Sequence, residues 1–390
     1  MSSVVVVGAG LAGLRTAEAL RREGWAGGIT VVGEEVHMPY TRPPLSKRIL
    51  LAGGGHEEVA LRLRPSTHET RWLLGRRVAH ADLDSRLLTL GDGTKLPYDG
   101  LVVATGVRPR RLPASVGGPR AVLRTIDDAA ALSRRLSPGA RVAVIGAGFI
   151  GCEVAAAAIA RGCRVTVVAL DRVPMRVPLG TTVGEELRRR HRDAGVDFRL
   201  GTSVTAVDDG GVVLADGARV DADVVVEAIG SAPATGWLEG NGLDLTDGVV
   251  CDGTLRVQGR PGVVAVGDVA RFPNALYDPV PRRIEHWQTA VDTSAHAAAT
   301  LVGDLTGEPV DAPFGTVPTF WSDQGVVSVR SVGQPGIADE VAVLEGDLSG
   351  EAAVGYRRDG QLVGVVLLGM PKSLGPYLRT LTTELASARG

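Results

Sequence analysis

The stretch that decides the fold is Val4-Val5-Val6-Val7-Gly8-Ala9-Gly10-Leu11-Ala12-Gly13, near the start of the chain. A short apolar run predicts a buried strand, and it leads directly into a Gly-x-Gly-x-x-Gly turn and a helical segment over residues 11–22. The glycines permit a tight turn and let the backbone approach a pyrophosphate, whose charge lies at the helix N-terminus. This order of elements predicts a dinucleotide-binding β–α–β unit.

The same pattern occurs a second time. The apolar run 142–145 precedes Gly146-Ala147-Gly148-Phe149-Ile150-Gly151, and an alanine-rich helical segment follows to about residue 161. Because only two copies exist, the repeat predicts a duplicated nucleotide domain and not a solenoid. Two dinucleotides bound to one protein favour an electron relay, in which a flavin receives hydride from a nicotinamide.

Composition excludes several other classes of protein. The chain has 390 residues, of which 44% are hydrophobic and 22% charged, which is long enough for two or three domains with buried cores. The formal net charge of -2 gives no reason to expect nucleic-acid binding. No apolar run approaches the roughly 18–20 residues of a membrane span. The first strand leaves no room for a signal peptide, so we expect a cytoplasmic location without a membrane partner.

The cysteines and histidines do not predict a metal site. Cys152, Cys163 and Cys251 form no Cys-x-x-Cys pair, and the seven histidines are scattered along the chain. We expect Cys152 to be a buried core residue, as free cysteines commonly are.

The order of predicted elements divides the chain into four segments. Residues 1–112 form the first part of the first nucleotide domain, 113–244 the second nucleotide domain, 245–315 a return to the first, and 316–390 a small α+β domain. In the last segment, predicted strands at 326–332, 341–344, 352–356 and 362–368 are followed by a helix at 373–386. The turn at residues 358–361, Arg-Asp-Gly-Gln, predicts a hairpin.

Two carboxylates lie where nucleotide ligands are expected. Glu34 follows the last glycine of the first turn by about 20 residues, where an acid bonds a ribose 2′-hydroxyl; the alternative is a solvated turn residue. The apolar run 262–266 ends on Gly267-Asp268, ahead of a predicted helix at 286–301. This places the Asp268 carboxylate at the carboxyl edge of the sheet, where ligands of open α/β sheets bind.

Six further landmarks, in order, identify a resemblance. They are Arg42-Pro43-Pro44-Leu45-Ser46-Lys47, Ala104-Thr105-Gly106, Gly148-Phe149-Ile150-Gly151-Cys152-Glu153, Gly267-Asp268-Val269-Ala270, Ile284-Glu285-His286-Trp287 and Phe320-Trp321-Ser322-Asp323-Gln324. Over nearly its whole length the chain resembles the single-flavin NAD(P)H reductases that serve Rieske oxygenases, rubredoxins or cytochrome P450 ferredoxins. The resemblance implies two Rossmann-like domains of the glutathione-reductase type and a small C-terminal α+β domain.

The resemblance also implies FAD as cofactor and NADH or NADPH as co-substrate. Segments 1–112 and 245–315 would bind FAD, and segment 113–244 would bind NAD(P)H. The implied cofactor-binding residues are Gly8, Gly10, Leu11, Ala12, Gly13, Glu34, Arg42, Lys47, Val78, Ala104, Thr105, Gly106, Arg124, Gly146, Gly148, Phe149, Ile150, Gly151, Arg172, Gly230, Gly267, Asp268, Glu285, His286 and Trp287.

Three residues have an implied catalytic role. Lys47 and Glu153 would form an ion pair near the flavin N5, and Trp321 would pack where the nicotinamide and flavin rings meet. A solvated lysine is the alternative for Lys47, although the prolines before it fix its direction. A core aromatic under the C-terminal hairpin is the alternative for Trp321.

One position departs from the NADH-preferring relatives. Those proteins carry a glutamate at the end of the strand that corresponds to residues 165–168, where this chain has Ala169. A carboxylate there binds the 2′-hydroxyl and repels a 2′-phosphate. Arg172 and Arg176 lie just beyond, with Asp171 between them and the strand. We therefore expect relaxed selectivity, with NADPH accepted.

The resemblance implies an acidic iron–sulfur protein of the ferredoxin type as electron acceptor, and indirectly a cytochrome P450 or Rieske oxygenase. Arg42, Arg282 and Arg283 are candidates for steering charge, or are solvated arginines without a partner. A rubredoxin reductase and a slow flavin-binding redox sensor stay open as alternatives. A disulfide reductase is excluded because residues 11–18 lack its cysteine pair, and an oxidase or peroxidase because the loop 43–47 lacks a cysteine.

Overall fold

The computed structural model describes residues 2–387, so that Met1 and residues 388–390, at the ends of the first and last predicted segments, lie outside the described residues. The chain divides into two compact units. Unit 1 comprises Met1–Thr41, Ala60–Arg108 and Ala232–Pro318, and unit 2 comprises Arg42–Val59, Pro109–Ser231 and Thr319–Gly390. Residues 42–59, which follow the first nucleotide unit in sequence, thus group with unit 2.

The α-helices are α1 (Leu11–Arg22), α2 (Leu50–Ala52), α3 (Ile126–Arg135), α4 (Phe149–Ala160), α5 (Arg176–Asp193), α6 (Trp287–Thr306) and α7 (Leu374–Ser387). The strands up to residue 233 are β1 (Ser3–Val7), β2 (Gly28–Val32), β3 (Arg71–Leu73), β4 (Val78–Asp82), β5 (Leu87–Leu90), β6 (Lys95–Pro97), β7 (Gly100–Val103), β8 (Val107–Pro109), β9 (Arg141–Ile145), β10 (Arg164–Ala169), β11 (Asp197–Leu200), β12 (Val204–Asp208), β13 (Gly211–Leu214), β14 (Arg219–Asp221), β15 (Val224–Glu227) and β16 (Ser231–Pro233). The remaining strands are β17 (Val249–Val250), β18 (Val263–Ala265), β19 (Ala270–Asn274), β20 (Asp278–Arg283), β21 (Thr319–Gln324), β22 (Val327–Gly333), β23 (Glu340–Gly346), β24 (Ala352–Arg358) and β25 (Gln361–Leu368).

The core of unit 1 is a five-stranded parallel sheet in the order β18-β7-β1-β2-β3. Its central strands are runs of valine buried on both faces, as expected for a parallel sheet covered by helices. Helices α1 and α6 pack against each other. Because β7 lies between β1 and β18, the carboxyl ends of these three strands meet at one edge, which brings Gly267 and Asp268 to the edge that bears Gly8.

Unit 2 repeats this plan with a four-stranded parallel sheet in the order β11-β10-β9-β15. The C-terminal segment adds a five-stranded antiparallel sheet in the order β21-β22-β25-β24-β23. Apolar residues of α5 pack with strands β22, β24 and β25 in one buried cluster, and α7 contacts β22 and β25. The structure is therefore an α/β fold with a C-terminal α+β segment.

The predicted hairpin turn is present between β24 and β25. Asp359 (φ +52°) and Gly360 (φ +79°) both have positive φ, which is the backbone of a type I′ turn and explains the Asp-Gly pair.

Two elements differ from the sequence-based expectation. The sequence predicts a helix over about residues 183–194, but helix α5 already begins at Arg176, because two helices join across Gly180, whose φ of +76° bends the chain. Strand β21 was not predicted, since its sequence, Thr-Phe-Trp-Ser-Asp-Gln, has neither an apolar run nor an alternation of apolar and polar side chains. Among the described residues, no helix has both the length and the apolar character needed to cross a membrane.

Candidate active site

The first glycine turn is held together by backbone contacts that leave no room for a side chain. A Cβ atom on Gly8 would lie 2.1 Å from the Ala104 carbonyl oxygen, and one on Gly13 would lie 1.9 Å from the Gly8 carbonyl oxygen. Gly8 also has a φ of +119°. These two glycines are therefore required for the fold of the turn itself.

Gly10, between them, faces open space. A Cβ atom there would meet no atom within 4 Å. Gly10 is also the N-cap of α1, where no side chain caps the helix and no acidic residue lies in the first turn. The helix thus presents backbone N–H groups and the positive end of its dipole to a space that suits a pyrophosphate.

The second glycine turn has the same geometry. A Cβ atom on Gly146 would lie 2.2 Å from the Ala228 carbonyl oxygen, and one on Gly151 would lie 2.1 Å from the Gly146 carbonyl oxygen. Gly148 again faces open space, and it caps α4 without a side-chain cap or an acidic first turn. Unit 2 therefore has a second open space beside a helix N-terminus that suits a dinucleotide. We call each of these two spaces, at Gly10 and at Gly148, a glycine cradle.

The two cradles differ at the end of the second strand. After β2, the Glu34 side chain is 58% exposed and pairs with Arg108 at 2.8 Å. In unit 2, Ala169 ends β10 and is buried, and Leu170 beside it is 77% exposed. The first carboxylate is Asp171, which forms an ion pair with Arg176 at 2.5 Å. The ribose end of the second cradle thus lacks an acid on the strand.

A cleft of about 670 Å³ opens beside the end of β10. It is lined in part by Leu170, Arg199, Thr202 and Arg219. Arg199 pairs with Asp197 at 3.3 Å and Arg219 with Asp208 at 2.6 Å, so both guanidinium groups have carboxylate partners. The cleft has room for a nucleotide end and a mixed polar and apolar lining.

Lys47 and Glu153 are brought together in unit 2. Lys47 lies on a π-helical turn, Leu45–Ile49, of the kind often found at functional sites. The Lys47 Nζ atom lies 2.7 Å from Oε2 of Glu153, and it also donates to the Pro43 carbonyl at 3.3 Å. The Glu153 side chain is only 5% exposed, because it lies in the second turn of α4, against residues of β21.

Serine hydroxyls complete the surroundings of Glu153. Ser46 donates to Oε2 of Glu153, and Ser322 of β21 donates to Oε1. With Lys47, the carboxylate has three hydrogen-bond donors, so both of its buried oxygens are paired.

Trp321 and Phe320 alternate on β21. The Trp321 side chain is directed outward and the residue is 40% exposed, whereas Phe320 packs edge-on against Phe149 with ring centroids 5.0 Å apart. The Trp321 ring is therefore more exposed than a core aromatic. Ile150, at the start of α4, is also partly exposed.

On unit 1, the residues around Asp268 are fixed by hydrogen bonds. Gly267 donates its backbone N–H to Oγ1 of Thr293 at 3.1 Å, and Arg283 donates to the Asp268 carbonyl at 3.1 Å. His286 caps α6 from an extended backbone, and burial lowers its pKa to about 4. The imidazole at the N-terminus of α6 is therefore neutral near pH 7.

The remaining implied residues lie as follows. Leu11 and Ala12 begin α1, Ala104, Thr105 and Gly106 follow β7, Val78 is buried on β4, and Glu285 and Trp287 flank His286. Thr105 donates to the Ala234 carbonyl. In unit 2, Arg42 donates to the Arg124 carbonyl at 2.6 Å, Gly230 (φ +95°) follows β15, and Arg172 is exposed.

The arginines considered for steering have intramolecular partners. Arg282 pairs with Asp278 at 2.6 Å, and Arg283 pairs with Asp247 at 2.8 Å and Glu285 at 2.7 Å. Neighbouring carboxylates thus offset both guanidinium charges, which gives these residues less steering charge than the sequence alone suggests.

Sequence reasoning assigned no role to four buried polar residues around Glu153. Ser46, Ser322 and Gln324 lie within the quoted landmarks, so their position there was the available signal. His191 on α5 carried no signal, because its contact with Gln324 links residues 133 positions apart.

The cysteines are buried, and the described residues 2–387 contain no cluster of metal-binding side chains. Cys152, Cys163 and Cys251 are free and buried, and burial raises the pKa of the Cys152 thiol to about 12. Within residues 2–387, no group of three or more histidine, cysteine, aspartate or glutamate side chains has the geometry to hold a metal ion.

Two family models match this chain. Residues 2–294 match the pyridine nucleotide-disulphide oxidoreductase family, and residues 319–388 match the reductase C-terminal family. The chain belongs to the pyridine nucleotide-disulphide oxidoreductases. It is therefore an oxidoreductase, and the family uses FAD and a nicotinamide coenzyme.

Two named relatives and one solved structure align with this chain over nearly its whole length. The chain is 40% identical to the ferredoxin--NAD(+) reductase component of a p-cumate 2,3-dioxygenase system from Pseudomonas putida, over 96% of this chain and 92% of that protein. It is 34% identical to putidaredoxin reductase of Pseudomonas putida, over 98% and 92%. A solved covalent complex of putidaredoxin reductase with putidaredoxin matches with a TM-score of 0.89 and 33% identity, over 98% of this chain and 93% of that one.

The residues present fit both nucleotides. Each unit has a glycine at which a side chain would fill open space, beside an uncapped helix N-terminus. Only the first cradle has an acid placed for a ribose hydroxyl, which suits the adenosine half of FAD.

Proposed function

We propose that this oxidoreductase transfers electrons from NAD(P)H, through FAD, to a small iron–sulfur protein of the ferredoxin type that serves a monooxygenase or dioxygenase. The observation that carries the proposal is the pair of open glycine cradles, one in each unit, in a chain without a buried redox cysteine pair. When bound, FAD accepts a hydride from the coenzyme and releases electrons one at a time.

In this proposal the first cradle binds the pyrophosphate of FAD. Gly10 leaves room for it, the N-terminus of α1 balances its charge, and Glu34 accepts a hydrogen bond from the ribose. Asp268 binds the ribityl chain. The dipole of α6 favours negative charge on the flavin, and the neutral His286 adds no cation there.

The second cradle binds the coenzyme. Gly148 leaves room for its pyrophosphate, and the exposed ring of Trp321 contacts the nicotinamide. Lys47 and Glu153 act at the flavin N5 as an ion pair. Lys47 would hold positive charge beside the ring that gains electrons when it is reduced, and Glu153 would hold the lysine in that direction.

The absence of an acid on β10 bears on the choice of coenzyme. Ala169 neither binds a 2′-hydroxyl nor repels a 2′-phosphate, and Arg172 is exposed just beyond it. Arg176 is held by Asp171, which reduces what it contributes to binding a phosphate. We propose that both NADH and NADPH are accepted.

The acceptor proposal draws on the relatives. One is named as the reductase component of a dioxygenase system, and another was solved in complex with putidaredoxin. A cytoplasmic location, where NAD(P)H is formed, is part of the proposal.

The test is steady-state electron transfer with each coenzyme. Anaerobic protein is mixed with NADH or NADPH and one candidate ferredoxin at a time, and reduction of the iron–sulfur cluster is followed by its absorbance, with ferricyanide as control acceptor. We expect fast ferricyanide reduction and fast reduction of at least one ferredoxin. Reduction of ferricyanide without reduction of any ferredoxin would contradict the proposed acceptor, and slow turnover with both acceptors would favour the redox sensor.

A further inference from the structure

The Lys47–Glu153 pair is one end of a longer polar chain inside unit 2. Ser322 donates to Oε1 of Glu153, Nε2 of Gln324 donates to Oγ of Ser322 at 2.9 Å, and Nε2 of His191 lies 2.7 Å from Oε1 of Gln324. Three side chains, those of His191, Gln324 and Ser322, thus connect α5 through β21 to the Glu153 carboxylate on α4.

The side chains of this polar chain are buried away from solvent. Ser322, Gln324 and His191 are each 1% exposed, and Ser46 on the other side of Glu153 is 2% exposed. Water therefore does not compete for these hydrogen bonds, and each is worth more than it would be at the surface. A buried chain in which every member is satisfied holds its side chains in one arrangement.

The hydrogen bonds along this polar chain all have the same direction, because each residue donates to the next one on the way from His191 to Glu153. The Gln324 amide nitrogen donates to Ser322 and approaches Sδ of Met175 at 3.5 Å, which leaves its carbonyl oxygen to accept from His191. Because the Ser322 oxygen accepts from Gln324, its single proton is directed at Glu153. His191 donates from Nε2, and burial lowers the pKa of this histidine, so the neutral Nε2–H form supplies the donor.

Strand β21 places both polar residues by its two-residue period. Ser322 and Gln324 are inward and buried, whereas Trp321 between Phe320 and Ser322 is directed outward. The same strand therefore presents the Trp321 ring on one face, and on the other the Ser322 hydroxyl that donates to Glu153 and the Gln324 amide that donates to Ser322.

We propose that Ser322 and Gln324, anchored by His191, are positioning residues that hold the Glu153 carboxylate toward Lys47. The inference rests on the proposed function, since it assigns to the C-terminal sheet a part in aligning the ion pair for hydride transfer to the flavin. Without the Ser322 hydroxyl, Oε1 of Glu153 loses its donor and the carboxylate is free to rotate away from Nζ of Lys47.

The experiment compares three variants of the full-length FAD-loaded protein. Ser322→Ala removes the donor, Ser322→Thr retains a hydroxyl in a residue that suits a strand, and Ser331→Ala is the control. Ser331 lies on β22 of the same sheet, is fully buried, and its hydroxyl has no hydrogen-bond partner within the described residues. The rate constant of flavin reduction by saturating NADH is measured by stopped flow, with the KM for NADH and the FAD content alongside.

We expect Ser322→Ala to reduce flavin about three- to tenfold more slowly, with KM and FAD content unchanged, because one hydrogen bond to a charged group is lost. Ser322→Thr should recover most of the rate, and Ser331→Ala should match the unmodified protein. A rate for Ser322→Ala equal to that of Ser331→Ala overturns the proposal. So does a slow Ser322→Thr variant, since packing and not the hydroxyl would then set the rate.

Gln324→Glu supplies a second measurement if Ser322→Ala does not fold. The substitution keeps the shape of the side chain, but a carboxylate cannot donate to Ser322 and competes with Glu153 for its proton. We expect a similar slowing without loss of FAD, and an unchanged rate overturns the proposal. If neither NADH nor NADPH reduces the flavin of the unmodified protein, the proposed function fails. The positioning role of Ser322 and Gln324 is tested separately, by comparing the variants with the unmodified protein.

Discussion

The two glycine turns of this reductase have nearly the same backbone and different side chains one helical turn further on. Seven residues after the first glycine, α1 has Arg15, whose guanidinium group pairs with the buried Glu18 of the same helix at 2.7 Å. At the equivalent point α4 has Glu153, buried and paired with Lys47. The glycines form the cradle in each unit. The side chain seven residues after the first glycine determines whether the helix also supplies a residue to the proposed active site, as α4 does with Glu153.

The strand ends differ in the same way. Unit 1 places Glu34 after β2, whereas unit 2 ends β10 with Ala169 and neutralises the nearby Asp171 with Arg176. The shared backbone therefore predicts that a nucleotide binds, and the differing side chains predict which nucleotide binds and how selectively.

The largest effect should come from adding one methyl group to the open glycine of each cradle. Gly10→Ala and Gly148→Ala place a Cβ where no protein atom lies within 4 Å, so both variants should fold and, compared without FAD, melt like the unmodified apoprotein. Gly10→Ala should lose FAD, with affinity lowered at least about tenfold. Gly148→Ala should stay yellow, with the KM for NADH raised at least about tenfold. FAD content, KM and melting temperature check this.

The opposite pattern, with FAD lost from Gly148→Ala and retained by Gly10→Ala, would reverse our assignment of the cradles. Gly13→Ala serves as a reference, because its Cβ would lie 1.9 Å from the Gly8 oxygen and should destabilise unit 1 whether or not FAD is present.

The next effect separates the helices. Glu153→Gln leaves Lys47 without its counter-charge and should slow flavin reduction about tenfold or more, with a loss of about 2 kcal/mol in the free energy of unfolding. Arg15→Gln at the equivalent position of α1 removes one of the two arginines that pair with the buried Glu18 carboxylate, so it should also cost about 2 kcal/mol in the free energy of unfolding, but leave the reduction rate unchanged. Stopped-flow reduction and urea denaturation measure both. Equal slowing by the two substitutions would mean that the helices do not differ in function.

A smaller effect concerns the strand ends. Ala169→Glu gives β10 the acid that it lacks, and should shift the ratio of kcat/KM for NADH over NADPH about tenfold toward NADH, by binding the 2′-hydroxyl and repelling a 2′-phosphate. Kinetics with both coenzymes measure the ratio in the variant and in the unmodified protein. A preference for NADH of about hundredfold or more before substitution would contradict the relaxed selectivity that we expect.

The smallest effect is a dependence of stability on pH. His286 in unit 1 has a folded-state pKa of about 4, set by burial, below the unfolded value of about 6.5. The unfolded chain therefore binds more protons between these values, and the contribution of this residue, fully present above pH ~6.5, is lost as the pH falls toward 4. The melting temperature of His286→Asn should fall less between pH 7 and pH 5 than that of the unmodified protein. An identical fall in both would show that this histidine does not contribute.

Much of this structure could be predicted from local sequence patterns. The valine runs, the glycine turns and the Asp359–Gly360 hairpin depend on near neighbours in sequence, so the sheets and the cradles could be predicted. The environment of Glu153 depends on contacts with Ser46 and Ser322, which are 107 and 169 positions away in sequence. No periodic pattern of the sequence reveals contacts at such distances. Strand β21 was missed because its buried residues Ser322 and Gln324 are polar: Ser322 donates to Glu153, and Gln324 donates to Ser322.

The most direct test of the central claim is anaerobic titration of the purified protein with NADH and, separately, with NADPH, while the visible absorbance of the flavin is recorded. The account predicts a yellow protein that retains FAD and is bleached by at least one of the two coenzymes. A colourless protein that neither binds added FAD nor responds to either coenzyme would contradict it.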